Sequence, residues 1–284
     1  MTRPNPADVR PEARITPTPV GRDSQKARLR QAIQNRQGLL IWGPAGIGKT
    51  ALVMRVLEDH PVAAAGSIIY LSGVGSLRPL LRTLLRRLHD IEDVTLRRQL
   101  RSEGVRKATF DSWLRSLSTS RLRGALYRSM EAGQYWVFLD HLPPLTHAVA
   151  KVVKELVQMR DTPVYIVARG QSKAEIGHVT DLYWSDRQRL NLGPLPAKAA
   201  RDLLEWCIRH YDLTSLNLEG FREELLRRSG RIPGALIKMC ALAAEPRYHY
   251  GTQIKTKLIH IDSLVRGYDP LNLAKLTESS YAGK

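Results

Sequence analysis

Apolar residues along this chain follow two alternating patterns. Short, nearly unbroken apolar runs occur at Gly38 to Trp42 (GLLIW), Ser67 to Leu71 (SIIYL), Tyr135 to Leu139 (YWVFL) and Pro163 to Ala168 (PVYIVA), with a shorter one at Arg189 to Leu192. Runs of this length without polar alternation predict strands buried on both faces, as in a parallel sheet. Helical spacing fills the gaps between them. It covers Gln25 to Gln37, Lys49 to Glu58 (with Leu52, Val53, Val56 and Leu57 apolar) and Ala148 to Met159. The most amphipathic stretch is Leu77 to His89. Leu77, Leu80, Leu81, Leu84, Leu85 and Leu88 form one face, and Arg78, Arg82 and Arg86 recur every fourth residue on another. Residues 90–130 read as helical or irregular.

After Pro196 the pattern is helical: Ala197 to His210, Leu218 to Ser229 and Pro233 to Ala243. Gln253 to Val265 fits either one helix or a strand pair. Strands alternating with helices, then helices alone, predict an α/β sheet flanked by helices and followed by a small all-helical lid. The expected divisions are a disordered, Pro-rich lead-in over 1–19, a core over 20–193 that contains a basic helical segment at 73–130, a lid over 194–244, and a basic C-terminal tail or partial docking module over 245–284. No repeat at a solenoid period is present in the sequence.

Composition adds a constraint on partners. The chain has 284 residues, 43% hydrophobic and 25% charged, which suits a globular protein with a sizeable core. Its net charge of +17 points to a polyanionic partner: nucleic acid, an anionic membrane or a ribonucleoprotein. Nearly half of that charge lies in residues 73–130, where 12 Arg and one Lys face five acids. Arg78, Arg82, Arg86, Arg97, Arg98, Arg101, Arg121 and Arg123 are the candidate nucleic-acid contacts, DNA before RNA, with Trp113 and Tyr127 as candidate stacking platforms. A solvated helical face and a surface for an acidic protein are the alternatives. No stretch approaches the about 20 apolar residues that span a bilayer; the uncharged run over 62–75 is interrupted by Gly66, Ser67, Ser72, Gly73 and Gly75. The N-terminus has no signal-peptide pattern, and the two cysteines, Cys207 and Cys240, argue against a disulfide scaffold. The expected location is the cytoplasm. The scattered histidines have no metal-ligand spacing.

One motif carries specific chemistry. Gly43-Pro44-Ala45-Gly46-Ile47-Gly48-Lys49-Thr50 fits G-x-x-x-x-G-K-[ST], between a buried strand and an amphipathic helix that continues through Ala51. Backbone N–H groups of such a glycine-rich turn converge on phosphate oxygens at a helix N-terminus. Lys49 reaches the β and γ phosphates of a nucleotide, and the Thr50 hydroxyl ligates Mg²⁺. Asp140, at the end of an apolar strand, is the expected second holder of the metal. The implied cofactors are ATP and Mg²⁺.

The order of these motifs resembles the AAA+/STAND group of P-loop ATPases, which includes origin-recognition, archaeal-type and transposon-associated ATPases. The resemblance spans about residues 18–244. Pro19-Val20-Gly21-Arg22-Asp23 is similar to the family's box before the first helix, which implies adenine contacts for Val20, Gly21 and Arg22. Gly43 to Thr50 is Walker A, and Phe138-Leu139-Asp140 ends Walker B. Pro163 to Arg169 resembles the sensor 1 strand, with Arg169 in the place of the γ-phosphate sensor. Leu192-Gly193-Pro194-Leu195 resembles the start of the lid, and Gly230-Arg231-Ile232-Pro233 its G-x-P motif, which implies that Pro233 lies near the nucleotide.

Two departures bear on turnover. The family usually has an acid after the Walker B Asp, which orients the attacking water; this chain has His141. An imidazole accepts a proton but lacks the carboxylate's charge and reach. Glu131 and Glu155 are the alternative bases, and Arg160 and Arg187 the candidate arginine fingers. The expected activity is slow ATP hydrolysis by a nucleotide-controlled switch, self-assembling and acting in a nucleic-acid transaction of the replication-initiation or transposition type. The alternative is a STAND-like signalling switch acting on a separate protein partner. The charge and the lid-like motifs argue against a small-molecule kinase.

Overall fold

The structure, a computed structural model, describes residues 20–265 except 62–65, 74, 143–144 and 171–172. The lead-in expected over 1–19 and residues 266–284 of the expected tail lie outside the described residues. The chain forms two compact units. One is Ser24–Gly193; among the described residues the other comprises 20–23 and 194–265.

The first unit runs α1 (Asp23–Gln34), β1 (Leu39–Gly43), α2 (Lys49–Glu58), β2 (Ile68–Leu71), α3 (Leu77–Asp90), α4 (Val94–Ser102), α5 (Phe110–Ser116), α6 (Thr119–Ala132), β3 (Trp136–Leu142), α7 (His147–Gln158), β4 (Val164–Arg169), α8 (Lys173–Ile176) and β5 (Arg189–Asn191). The five apolar runs are the five strands. They form one parallel sheet in the order β2-β3-β4-β1-β5, flanked by helices. Helical crossovers cover both faces of a parallel sheet, which is why its strands carry continuous apolar runs. Leu39, Leu40, Ile41, Val137, Phe138, Leu139, Ile166 and Val167 are all buried accordingly. The third strand does not stop at Leu139. It continues to Leu142 and takes Asp140 into the strand, with a register shift between Leu139 and Leu142. At that shift His141 has φ 54°, a left-handed conformation that a non-glycine residue adopts at a cost.

Residues 77–132 are folded as a helical insertion between β2 and β3. The leucine face of α3 explains it. Leu80, Leu81, Leu84, Leu85 and Leu88 are buried, packed with Leu96 and Leu100 of α4, Leu114 of α5 and Leu122 and Leu126 of α6. No helix of the described residues is long and apolar enough to cross a membrane.

The second unit contains α9 (Ala197–His210), α10 (Phe221–Arg228), α11 (Pro233–Ala243), the strand pair β6 (His249–Tyr250) and β7 (Gln253–Ile254), and α12 (Thr256–Val265). Residues 253–265 are thus neither one helix nor a strand pair: Gln253–Ile254 pairs with His249–Tyr250, and the helix begins only at Thr256. Leu203, Leu204 and Cys207 of α9 and Leu236, Met239 and Cys240 of α11 share its core with Tyr248 and Ile259. Gly21 also packs in this unit at φ 65°; a Cβ there would meet the Ala199 Cβ at 2.3 Å, so glycine is required.

Leu84→Ala would leave a cavity among the insertion's helices. It is expected to cost about 2–5 kcal/mol of stability in urea unfolding, whereas exposed Arg98→Ala should stay within ~0.5 kcal/mol.

Candidate functional site

The buried strand β1 ends at Gly43 and α2 begins at Lys49, so residues 44–48 form a loop at the helix N-terminus. Gly46 and Gly48 have φ of 74° and 94°, and Ile47 between them is buried, anchoring the loop in the core. No side chain caps α2. Its first N–H groups, with the positive end of the helix dipole, are suited to an anion.

Lys49 lies back along this loop. Its Nζ donates to the carbonyls of Gly43 at 2.8 Å and Pro44 at 2.9 Å. Burial and the nearby Arg169 guanidinium lower its pKa to about 8, with Asp140 acting in the opposite direction. Arg169 is the last residue of β4, exposed, and paired in register with Gly43. Two cations and one carboxylate thus surround the loop, a balance that suits a phosphate chain.

Asp140 is 1% exposed and is surrounded by donors. Thr50 Oγ1 donates to its Oδ2 at 2.7 Å, and the His141 backbone N–H donates to its Oδ1 at 2.7 Å. Tyr70 Oη, from β2, donates to Oδ2 at 2.5 Å. Burial, and then Asp140 itself, push the Tyr70 phenol well above its ordinary pKa, so it stays a donor. The His141 side chain is 44% exposed, with Nδ1 3.3 Å from Asp140 Oδ1. Tyr70 was not legible beforehand: a tyrosine in a strand is ordinary. Among the described residues no cluster of three His, Cys, Asp or Glu is present. The hydroxyl of Thr50 beside the carboxylate of Asp140 is nonetheless a hard-oxygen pair of the kind that holds Mg²⁺ together with phosphate oxygens.

The structure brings Lys49, Thr50, Asp140, His141 and Arg169 together at the C-terminal ends of β1, β3 and β4. Ala51 lies in the first turn of α2. Val20, Gly21, Arg22 and Pro233 belong to the second unit. There Val20 packs on the core, Arg22 is buried, and Pro233 opens α11. Leu195 N–H donates to the Arg231 carbonyl at 3.0 Å, within the second unit.

The alternative bases fare differently. Glu155 is bound through both oxygens by Arg123 Nη2, at 2.9 and 2.7 Å, and by Tyr127 Oη, away from the phosphate loop. Glu131 lies in the last turn of α6, which leads into the start of β3 rather than its Asp140 end. Arg160 and Arg187 likewise precede β4 and β5, at the N-terminal ends of the strands rather than the C-terminal ends that carry the loop.

Much of the arginine-rich segment is used internally. Arg78 Nη2 donates to the carbonyls of Leu117 at 2.7 Å and Arg115 at 3.2 Å. Arg82 donates to Leu114 and Arg115 carbonyls at 3.3 and 3.1 Å. These are carbonyls at the C-terminal end of α5, the negative end of its dipole. Arg86 meets Asp111, near the start of the same helix, at 2.9 Å. The regular row on α3 therefore lies along α5. Arg97 pairs with Glu92, and Arg121 with Glu103. Trp113 is buried and donates to Glu103, and Tyr127 is half-buried on Glu155, so neither is an open stacking platform. Among the described residues, Arg98, Arg101 and Lys107 keep exposed cationic groups with no side-chain hydrogen bond or ion pair.

Residues 18–168 match the model of a family described as the AAA ATPase domain. The fold is similar to a Walker-type ATPase of Pyrococcus abyssi (14% identity, TM-score 0.57), covering 92% of this chain and 76% of that one. It is also similar to Cdc6p from Pyrobaculum aerophilum (14%, TM-score 0.56), covering 82% of this chain and 63% of that one. A third likeness is to the ORC1 protein of Aeropyrum pernix in complex with DNA (14%, TM-score 0.55), covering 86% of this chain and 65% of that one. The chain thus spans less than two thirds of the length of the last two. At these identities the likeness is one of fold. No curated protein matches the chain.

Lys49→Ala is expected to abolish binding of a fluorescent ATP analogue while leaving the melting temperature within a few degrees of wild type. Unchanged affinity would remove the loop from the site.

Proposed function

The chain belongs to the AAA ATPase domain family, and from that premise we propose that it is a slow, nucleotide-controlled switch that binds ATP with Mg²⁺ and self-assembles on DNA. The observation that carries the reading is the convergence of Thr50, Asp140 and Lys49 at the uncapped end of α2. The α2 N–H groups and Lys49 hold the phosphates. Thr50 and Asp140 hold the cation, which supplies charge neutralisation on the phosphate oxygens when bound. Arg169, beside the loop, senses the terminal phosphate.

Slow turnover follows from His141. It stands where a second acid would orient water, in a left-handed backbone conformation, and half of its side chain faces solvent. A neutral imidazole beside Asp140 accepts a proton without holding a fixed negative charge over the attacking water. The second unit, with Arg22 and Pro233 on its own core, is the proposed lid. Its ordering by ATP is the proposed switch.

The DNA-facing surface is assigned to α4 and the turn after it. Arg98 and Arg101 stand three residues apart on α4, opposite buried Leu96 and Leu100, and Lys107 follows. The A. pernix ORC1 protein, similar in fold, is itself in complex with DNA.

Three measurements test this. Double-stranded DNA affinity should fall linearly on a log–log salt plot, and Arg98→Ala with Arg101→Ala should shallow the slope by about one to two. Arg78→Ala should instead lower stability, since it strips the α5 carbonyls of their donor. A salt-independent interaction would remove DNA as the partner. His141→Glu is expected to raise ATP turnover about tenfold or more; an unchanged steady-state rate would place the base elsewhere.

A further inference from the structure

The Asp140 carboxylate is more fully occupied than metal binding requires. Oδ2 accepts two hydroxyls, from Thr50 at 2.7 Å and from Tyr70 at 2.5 Å, and Oδ1 accepts the His141 N–H at 2.7 Å. A carboxylate oxygen has two lone pairs in its plane, so Oδ2 is saturated by these donors. Thr50 is at the start of α2, next to the phosphate loop, and its donation leaves a lone pair for a cation. Tyr70 has no such second role. It comes from the edge strand β2, opposite Phe138 in register, and its hydroxyl ends on the carboxylate.

We propose that Tyr70 is a positioning residue that withholds Oδ2 from direct contact with a divalent cation, so that the cation binds with the nucleotide rather than ahead of it. The inference rests on the nucleotide-site reading above. Its physical basis is charge. Each hydroxyl donated to a buried carboxylate spreads its negative charge and fills a coordination direction that the cation would otherwise take. With Tyr70 in place, Asp140 alone is a poor seat for a hard cation, which needs several open oxygen ligands. Phosphate oxygens supply the missing ligands. Without the phenolic hydroxyl, Oδ2 regains an open lone pair on a carboxylate that is 1% exposed, and nucleotide-free affinity for the cation rises.

The test is Mn²⁺ binding, read by electron paramagnetic resonance, on full-length wild type and Tyr70→Phe, each with and without a non-hydrolysable ATP analogue. The phenyl ring fills the same space, and a melting curve confirms folding. Wild type should take up Mn²⁺ tightly with the analogue and weakly without it. Tyr70→Phe should bind Mn²⁺ about tenfold more tightly than wild type without nucleotide, the size of effect given by one hydrogen bond to a charged group. Adding Asp140→Asn should erase that gain. Equal or weaker nucleotide-free Mn²⁺ affinity in folded Tyr70→Phe overturns the role of Tyr70 and leaves the nucleotide site standing. A gain that survives Asp140→Asn also overturns it. Failure of wild type to take up Mn²⁺ with the analogue overturns the nucleotide-site reading instead.

Discussion

A carboxylate buried in a sheet must be satisfied by donors, and Asp140 sets much of the first unit's geometry through that need. An ionised group left unpaired in the interior is costly by several kcal/mol. Its three donors come from three places: the start of α2, the edge strand β2, and the backbone of the bulge in β3 itself. Strands β1 and β3 are separated by β4, so they stand about 10 Å apart at ordinary strand spacing. A side chain on β1 could not bridge that gap. Thr50 does so because it lies on the helix that steps off the loop after β1. The glycine loop, the helix start and the left-handed His141 are therefore parts of one solution.

The helical insertion shows a different use of charge. Its amphipathic α3 buries five leucines on one side and directs Arg78 and Arg82 at carbonyls at the end of α5 on another. Such carbonyls have no partner within their own helix, and an arginine fork satisfies two at once. A basic row on a helix thus serves packing as much as recognition. Arg98, Arg101 and Lys107, which make no such contacts among the described residues, are set apart from that row. Much of the +17 net charge is thus engaged within the fold rather than left on open surface.

Strand positions, the loop and its helix were legible in the sequence, because both signals are local. Four to six nearly consecutive apolar residues mark a buried strand, and Gly43 to Thr50 carries its own spacing. Helices α9, α10 and α11 were legible for the same reason, through their 3.6-residue period. The division of residues 253–265 was not, since the partner of the short strand at Gln253–Ile254 lies upstream at His249–Tyr250.

What the chain alone determined was therefore a set of local elements and one glycine-rich loop at a helix start, since these depend on neighbours within a few residues. Tertiary structure decided the rest. It extended β3 past Asp140, placed Tyr70 on the carboxylate across 70 residues of sequence, and tied Glu155 to Arg123 and Tyr127. No periodicity encodes those pairings. They follow from strand order, which brings β2 beside β3, and from helix packing, which lays α3 along α5. A tyrosine in an apolar run, or an arginine on a helix, acquires its role only from the group that the fold sets opposite it.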